Sequence, residues 1–338
     1  MDREQAANKR ILFYARDLYP ARGGGALSMI PLLSAMAGRG LQVTSVNSGP
    51  ASDSDEDVIH FEHGFAGVVS PRPLQRALET AAGLEPDVLV TQGWGSVEGI
   101  LLAKELSVPS ILFLIDLVQL APQAHCDYGL DYAANAAVFR SADVVVANSH
   151  YTRKRALELA NIHCTVIYPV IPEQDFLAPA RPRPGFITLV GATPLKGLHM
   201  LLSQAERMPL PCLVCGDAAN EDIARMDAMD NLTWGGFIPN MSQIYASTAC
   251  LLVLSQWEET FGRVIVEAHM NGIPVVALDR GAVREVAGKA AVYINDAKEL
   301  PRAVKRALDI DPELCRANAA RFAAQDQIEA FARLLAML

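Results

Sequence analysis

The chain has 338 residues, of which 51% are hydrophobic and 20% are charged, and its formal net charge is −9. This length exceeds what one ordinary hydrophobic core needs and favours two globular domains. The acidic balance argues against a nucleic-acid-binding protein, which needs a basic stripe, although a local basic patch for a membrane-associated acceptor could exist within the acidic total. No apolar stretch approaches the roughly 18 residues that span a bilayer. The charged N-terminal segment is unlike a secretory signal, so we expect a cytoplasmic protein with no transmembrane segment.

Short apolar runs alternate with helical patterns in the first half of the chain. Strands are predicted at residues 10–14, 41–46, 87–91, 110–114 and 143–147. Such alternation predicts a parallel, doubly wound sheet with helices on both faces.

A glycine-rich loop follows the first predicted strand. Gly23, Gly24 and Gly25 precede a helical pattern over residues 26–38. Glycine lets the backbone approach a phosphate closely, but three glycines in a row are equally consistent with a plain flexible turn. Pro31 is unfavourable inside a helix, so we expect the helix either to begin near it or to be kinked there.

Several polar motifs of the first half have an ordinary structural interpretation. Asp53-Ser-Asp55 has the spacing of a metal-binding pair, but no buried strand precedes it, so it is interpreted as a solvated loop. His60 and His63 lack a third ligand at metal spacing and are interpreted as structural. Ser149 is placed to cap the helix that follows it, and a contact with substrate is the alternative.

A proline-rich segment separates the two halves. Residues 169–185 contain five prolines, which prevent regular structure and stiffen a connector. We therefore predict a first domain over 1–170, a linker over 171–185, and a second domain over 186–310. Helical patterns fill residues 311–338.

The second half repeats the strand–helix alternation. Strands are predicted near residues 186–190, 211–215, 231–234, 250–254, 274–278 and 291–293. Cys212 and Cys215 have redox or metal spacing, but positions three apart on a strand point to opposite faces. They are therefore predicted to be buried core thiols.

Two glutamates frame the loop and helix after the fourth of these strands. Glu259 lies in the loop, and Glu267 lies on a helix predicted to begin near Gly262 and to end at Asn271-Gly272. Loops and helix N-termini of open α/β sheets lie at the carboxyl edge, where ligands bind. The backbone N–H groups of residues 261–264 would face an anion there. A solvated pair on an exposed helix face is the simpler alternative.

This stretch resembles the donor-binding motif of retaining glycosyltransferases of family 4. The motif stands as Glu259-Thr-Phe-Gly, then Glu267-Ala, then Gly272-Ile-Pro-Val-Val. The resemblance implies the GT-B fold: two Rossmann-like, doubly wound parallel-sheet domains facing a central cleft. It implies that the first domain, over 1–170, lies on the acceptor side and that the second, over 186–310, binds the nucleotide-sugar donor. It also implies that the last helix crosses back onto the first domain. The implied reaction is sugar transfer from a UDP- or GDP-linked donor, without metal or another cofactor.

The resemblance assigns roles to individual residues. Lys196, in a turn that resembles the family's Lys-Gly turn, would hold the donor diphosphate, and Glu259 would orient the sugar ring. Glu267 would bind the nucleotide ribose, and Lys196 and Glu259 would act in catalysis. The residues assigned to donor binding are Gly24, Gly25, Gly191, Thr193, Lys196, Phe237, Ile238, Glu259, Phe261, Gly262, Arg263, Val264 and Glu267.

Two departures from the family's pattern leave alternatives open. The family's Arg is missing near Ala192 and its His is missing at Ile115, and either Arg263 or Arg22 could supply the second positive charge. A nucleotide-sugar epimerase and a non-catalytic nucleotide-sugar-binding module are the competing hypotheses. The acceptor, whether a small molecule, a glycan or a lipid-linked compound, is not identified by the sequence.

Overall fold

The computed structural model describes residues 9–19, 21, 23–48, 56–122, 127–179 and 185–338. The Asp53-Ser-Asp55 motif and Arg22 lie outside the described residues. The chain divides into two compact units: the first combines the chain up to Pro122 with Asp127–Ile171 and Ala324–Leu338, and the second contains Pro172–Ala323. Within the described ranges, no helix has the length and hydropathy that a membrane span requires.

The first unit is built on an eight-stranded sheet. Its strands are β1 (Arg10–Ala15), β2 (Gln42–Asn47), β3 (Val58–Glu62), β4 (Phe65–Val69), β5 (Val88–Gln92), β6 (Ser110–Leu114), β7 (Val144–Ala147) and β8 (Thr165–Val166). Their order across the sheet is β3-β4-β2-β1-β5-β6-β7-β8. All neighbouring pairs are parallel except β3 and β4.

Helices connect the parallel strands of the first unit. They are α1 (Gly24–Gly38), α2 (Pro73–Leu84), α3 (Ser96–Glu105), α4 (Tyr132–Arg140) and α5 (His150–Ala160). The side chains of β1 alternate between two hydrophobic clusters: Ile11 and Phe13 belong to one, and Leu12 and Tyr14 to the other. Because both faces of the sheet are covered, its central strands are apolar throughout rather than alternating.

The second unit contains a six-stranded sheet. Its strands are β9 (Phe186–Val190), β10 (Cys212–Cys215), β11 (Leu232–Gly236), β12 (Thr248–Val253), β13 (Val275–Leu278) and β14 (Ala291–Ile294). The order is β11-β10-β9-β12-β13-β14, and every pair is parallel. Its helices are α6 (Leu198–Leu202), α7 (Asn220–Asp227), α8 (Met241–Ser247), α9 (Arg263–Met270), α10 (Val283–Ala287), α11 (Leu300–Ala307) and α12 (Pro312–Ala319).

The last helix, α13 (Ala324–Leu335), belongs to the first unit. Phe331 is completely buried, with its ring centroid 5.4 Å from that of Phe113. The amide of Gln327 accepts a hydrogen bond of 3.0 Å from the backbone N–H of Tyr168. The two ends of the chain thus share one core.

Two features of the first unit differ from the sequence-based expectations. Helix α1 runs from Gly24 to Gly38 with Pro31 in its interior. Of the two alternatives expected for Pro31, the helix start is therefore wrong, and the kink stays a prediction. Proline has no N–H, and the helix therefore lacks the hydrogen bond that residue 31 would donate. The antiparallel pair of β3 and β4 was not predicted, and it makes the first sheet mixed rather than wholly parallel.

Two structural interpretations are confirmed. Cys212 and Cys215 are free thiols buried in different hydrophobic clusters, as expected for opposite faces of β10. Burial raises the pKa of Cys212 to about 12 and that of Cys215 to about 11. Ser149 caps α5, because its side-chain oxygen accepts a hydrogen bond of 2.9 Å from the Thr152 N–H.

Candidate active site in the second unit

The candidate site lies where the strand order of the second sheet reverses, between β9 and β12. The chain leaves these strands in the turn 191–197 and the loop 254–262 respectively. The turn after β9 needs glycine at both ends. Gly191 has φ +97°, and a Cβ there would lie 2.8 Å from Cγ of Lys196. Gly197 has φ +87°, and its Cβ would lie 2.4 Å from the carbonyl oxygen of Leu254.

These glycines position Lys196 beside Glu259. The Nζ of Lys196 donates a hydrogen bond of 3.0 Å to Oε2 of Glu259 and lies 4.6 Å from the centroid of the Trp257 ring. Thr193 begins the short helical turn, since its Oγ1 accepts from the Lys196 N–H at 3.3 Å. The lysine side chain therefore lies over the carboxyl edge of the sheet rather than extending into solvent.

One oxygen of Glu259 receives all the hydrogen bonds that its side chain makes with described residues. Besides Lys196, Oε2 accepts from Ser255 Oγ at 2.7 Å and from Trp257 Nε1 at 3.2 Å. The side chain is only 15% exposed. Burial alone would raise the pKa of Glu259, but the charge of Lys196 and these hydrogen bonds outweigh it and lower the pKa below its usual value. Glu259 is thus an anion whose Oε1 is left as an acceptor.

The loop after β13 fixes the backbone of Glu259. The N–H of Ala282 donates to the Glu259 carbonyl at 2.7 Å, and a Cβ on Gly281 would lie 2.1 Å from the same oxygen. Gly281 has φ +69°, so both its conformation and this close approach require glycine. The loop that begins at Gly281 therefore holds the Glu259 backbone in place.

Helix α9 begins directly beside Glu259. Gly262 is the N-cap in the left-handed conformation, and a Cβ on it would lie 3.4 Å from Glu259 Cγ and 3.0 Å from Ile265 Cδ1. Phe261 is buried with its ring 5.5 Å from that of Phe322. The first-turn N–H groups of a helix have no partner within the helix and carry the positive end of its dipole. Glu259 thus adjoins both Lys196 and this helix N-terminus.

Glu267 lies in the interior of the unit, one turn into α9. Its Oε2 accepts from the Tyr245 hydroxyl at 2.7 Å, and its Oε1 accepts from Arg263 Nε at 3.2 Å. Glu267 is 3% exposed, so it is not a solvated glutamate on an open helix face. Burial and the charge of Glu267 raise the pKa of Tyr245 well above its usual value.

Arg263 is directed toward Glu267 and lies 5.6 Å from the centroid of the Phe176 ring. It is buried in this arrangement. Arg263 is one of the two arginines considered for the second positive charge. Its described ion pair is with the carboxylate of Glu267, inside the second unit. Arg22 lies outside the described residues.

Four other residues predicted to bind the donor lie outside the turn 191–197 and the loop 254–262. Phe237 follows β11 and is 63% exposed, whereas Ile238 packs against a hydrophobic cluster. Gly24 and Gly25 form the first turn of α1 in the first unit. A Cβ on Gly25 would lie 2.5 Å from Cδ1 of Ile115, the residue at the position of the family's His.

Sequence reasoning did not assign the site contacts of Ser255, Trp257, Tyr245 and Gly281. Ser255 and Trp257 stand in the same motif as Glu259. Their position at the end of β12 could have indicated from the sequence that they lie at the site. Tyr245 is 22 residues before Glu267 in another helix. No sequence spacing indicates that contact.

Two α/β units built on largely parallel sheets, with a cationic turn and a helix N-terminus at the switch point of the second, have the architecture of GT-B glycosyltransferases. Residues 14–169 match the model of the glycosyl transferase 4-like domain, and residues 183–309 match that of the glycosyl transferases of group 1. The chain belongs to the group 1 glycosyltransferases, family 4, and is a transferase. A search of curated protein sequences found no match.

Solved structures with the same fold share little sequence with the chain. HepE from Anabaena, in complex with UDP-glucose, has a TM-score of 0.77 at 20% identity, covering 97% of this chain and 100% of that one. Sucrose-phosphate synthase from Thermosynechococcus elongatus has a TM-score of 0.79 at 17% identity, covering 97% and 98%. The catalytic domain of starch synthase IV from Arabidopsis thaliana, bound to ADP and acarbose, has a TM-score of 0.72 at 12% identity, covering 98% and 99%.

Proposed function

We propose that the protein is a retaining, metal-independent glycosyltransferase that uses a nucleotide-diphosphate sugar as donor. The observation that carries the proposal is the contact of Lys196 Nζ with Glu259 Oε2 at the start of α9. It places a cation, a helix N-terminus and an anionic hydroxyl acceptor at one switch point. A diphosphate sugar needs these groups, because its leaving group is anionic and its sugar presents hydroxyls.

Lys196 and the α9 N-terminus stabilise the departing diphosphate. Breaking the glycosidic bond concentrates negative charge on the phosphate oxygen that leaves. A positioned donor aimed at such a charge is worth about 3–4 kcal/mol in other enzymes. Because the contact with Glu259 leaves an ammonium two further N–H donors, Lys196 can bind phosphate while it remains paired.

Glu259 and Glu267 bind opposite ends of the donor in this proposal. The Oε1 of Glu259 accepts a sugar hydroxyl, while Oε2 keeps its three protein donors. Each oxygen of Glu267 has one described partner, and a carboxylate offers about four acceptor positions. It therefore retains capacity for two ribose hydroxyls.

The other assigned residues complete the donor site. The backbone of Phe237 and Ile238 reads the nucleobase, and Gly191 and Thr193 shape the turn that carries Lys196. The assignment of Gly24 and Gly25 in the first unit rests on the family resemblance.

Retention follows if the leaving phosphate oxygen takes the proton of the acceptor hydroxyl on the same face of the sugar. The proton moves to the departing diphosphate, and the new glycosidic bond forms on the side from which the old one breaks. No second carboxylate of glycosidase type is needed. Lys196 and the helix N-terminus supply the positive charge that a metal cation supplies in other transferases. The proposal also includes the cytoplasmic location that is predicted from the sequence.

The test is incubation of the protein with UDP-glucose and GDP-mannose, first without acceptor. Slow hydrolysis with release of the nucleoside diphosphate supports a transferase; an isomerised nucleotide sugar indicates an epimerase, and binding alone indicates a non-catalytic module. Lys196→Ala should lower turnover most, and Glu267→Ala should weaken donor binding most. Lys289→Ala, which removes an exposed lysine of the same unit, is the matched control. The anomeric configuration of a transfer product, read by proton NMR, tests retention.

A further inference from the structure

One edge of the first sheet is formed by β3, the end strand in the order β3-β4-β2-β1-β5-β6-β7-β8. Among the described residues β3 pairs with β4 alone, so its other side has no neighbouring strand there. An open edge presents backbone N–H and C=O groups that a strand of another chain can pair with. This edge is therefore the place where a further strand can extend the sheet.

The hairpin turn between β3 and β4 decides which backbone groups face outward. Glu62 and Phe65 pair directly across the two-residue turn His63-Gly64, whose residues have φ values of 58° and 82°. A turn of this kind closes with a hydrogen-bonded pair, and hydrogen-bonded and non-hydrogen-bonded pairs then alternate along the ladder. The alternate residues Ile59 and Phe61 therefore direct their N–H and C=O groups to the open edge.

The side chains along this edge are apolar and exposed. Phe61 is 81% exposed, more than any other large hydrophobic side chain that the structure describes, and Ile59 and Val58 are 56% and 52% exposed. Ile59 and Phe61 share one face of the strand because side chains alternate. Edge strands are often protected by lysine, proline or a bulge. By contrast, β3 contains no lysine or proline, and its register with β4 is uninterrupted.

The pattern of β3 is complementary to itself in one antiparallel register. With a two-fold axis at His60, Ile59 of one copy lies opposite Phe61 of the other. Both residues direct their backbone groups outward, so they form a hydrogen-bonded pair, and the symmetric pair repeats it. The side chains of both pairs then lie on one face, where each aromatic ring packs on an isoleucine. A shift by one residue would oppose outward-facing groups with inward-facing ones, so the register is specified.

The charges that flank β3 also favour the antiparallel arrangement. Glu56 and Asp57 precede the strand and are exposed. Two copies in parallel register would place these acids beside their own counterparts, and like charges in opposite positions are destabilising. The antiparallel register separates the two acidic segments and brings Asp57 next to His63 of the other copy. A second copy of this chain is therefore a complementary occupant of the edge.

We propose that two copies of the protein associate through antiparallel pairing of their β3 strands, which joins the two first-unit sheets into one continuous sheet. A two-fold contact of this kind is closed, so it produces a dimer and no larger assembly. The strand has only five residues, and interfaces that bury less than about 1,200 Å² belong to weak complexes. The dimer should therefore have a Kd of about 1–100 μM.

The first experiment is sedimentation velocity of the full-length protein at concentrations below and above about 10 μM. The wild-type protein should change from monomer to dimer as the concentration rises. Phe61→Lys removes the apolar contact, and Ile59→Pro removes an outward N–H while leaving the bonds to β4 intact. Each variant should raise the dimer Kd at least about tenfold. Leu157→Lys, at an exposed leucine of α5, is the matched control and should leave the Kd unchanged.

Folding is checked separately from association. At a concentration where the wild-type protein is monomeric, Phe61→Lys should leave the midpoint of thermal unfolding nearly unchanged, because the Phe61 side chain is exposed. A protein that stays monomeric over the whole range overturns the proposal, as it would if the edge paired with a strand of another protein. Dimers whose Kd is unchanged in both Phe61→Lys and Ile59→Pro overturn it too, and so do species larger than a dimer.

A cysteine at the two-fold axis tests the register. Two copies of position 60 would form a non-hydrogen-bonded pair with Cα atoms about 4.5 Å apart, within the range of a disulfide. His60→Cys should therefore give a disulfide-linked dimer with oxidised glutathione. Val58→Cys should not, because its two copies would lie more than about 10 Å apart. The wild-type protein is the control for the native thiols.

A missing link at position 60, or equal links at positions 58 and 60, overturns the proposed pairing. Neither experiment uses a nucleotide or a sugar. Their results are therefore independent of the proposed glycosyltransferase function.

Discussion

Acidification should destabilise the second unit through one histidine, His269 of α9. The imidazole is completely buried. Its Nδ1 accepts from Asn318 Nδ2 at 2.9 Å, and its Nε2–H donates to the Ala290 carbonyl at 3.1 Å. Asn318 Nδ2 also donates to the Val286 carbonyl at 2.7 Å, which fixes the direction of the amide. These partners require the neutral tautomer, because a proton on Nδ1 would meet another N–H.

Burial lowers the pKa of His269 from 6.5 to about 4. The unfolded chain therefore binds more protons than the folded one between these values, and stability falls as pH falls from about 6.5 to about 4. A difference of about 2.5 pKa units corresponds to about 3 kcal/mol over the full interval. Between pH 7.5 and pH 5 the expected loss is about 2 kcal/mol. The stability is fully present above pH 7.

The assay is urea unfolding followed by circular dichroism at pH 7.5 and pH 5, for the wild-type protein and for His269→Gln. Gln can keep the hydrogen bond to the Ala290 carbonyl without titrating, so the variant should lose about 2 kcal/mol less over this interval than the wild type. His163→Gln, at an exposed position, should leave the wild-type difference unchanged. Equal pH dependence in wild type and His269→Gln, or an NMR titration of His269 near pH 6.5, would refute the reasoning.

Three further predictions concern the candidate site. Gly197→Ala should destabilise the protein by at least about 2 kcal/mol in urea unfolding, because the φ of Gly197 is +87° and an added Cβ would overlap Leu254. Gly23→Ala is the matched control, since a Cβ on Gly23 would meet open space. Equal losses of stability in the two variants would contradict the argument. Tyr245→Phe should cost about 1–3 kcal/mol of stability and weaken nucleotide binding in calorimetry, because Glu267 loses a buried hydrogen-bond donor. An unchanged nucleotide affinity would show that Glu267 does not take part in nucleotide binding. A chelator should alter neither donor hydrolysis nor transfer, and a large, reversible loss of activity would count against the metal-independent scheme.

The buried strands were predictable because helices cover both faces of each sheet. Phe186–Val190 and Ser110–Leu114 have the predicted bounds, since an uninterrupted apolar run marks a strand with no solvated face. The β3–β4 hairpin was missed for the opposite reason. Ile59 and Phe61 of β3 are exposed, so no alternation between buried and solvated positions identifies that edge strand.

The candidate site was predictable only where its residues are close in sequence. Glu259, Gly262 and Glu267 stand in one motif, whose spacing indicates a loop followed by a helix. The contact of Lys196 with Glu259 joins residues 63 positions apart, and that of Tyr245 with Glu267 joins two helices. The roles assigned to these residues remain predictions until donor binding is measured.

By itself, the sequence determined the strand–helix alternation, the two-part organisation and the motif that places the chain in its family, because these depend on local apolar patterning and local spacing. Only the tertiary structure decided the partners of each charge. Which oxygen of Glu259 remains an acceptor, that Arg263 pairs with Glu267, and that the Gln92 side chain at the end of β5 is buried without described partners all depend on the packing of distant segments. Burial and hydrogen bonding between such segments set the pKa of a group and the bonds it can still form, and sequence spacing does not encode them.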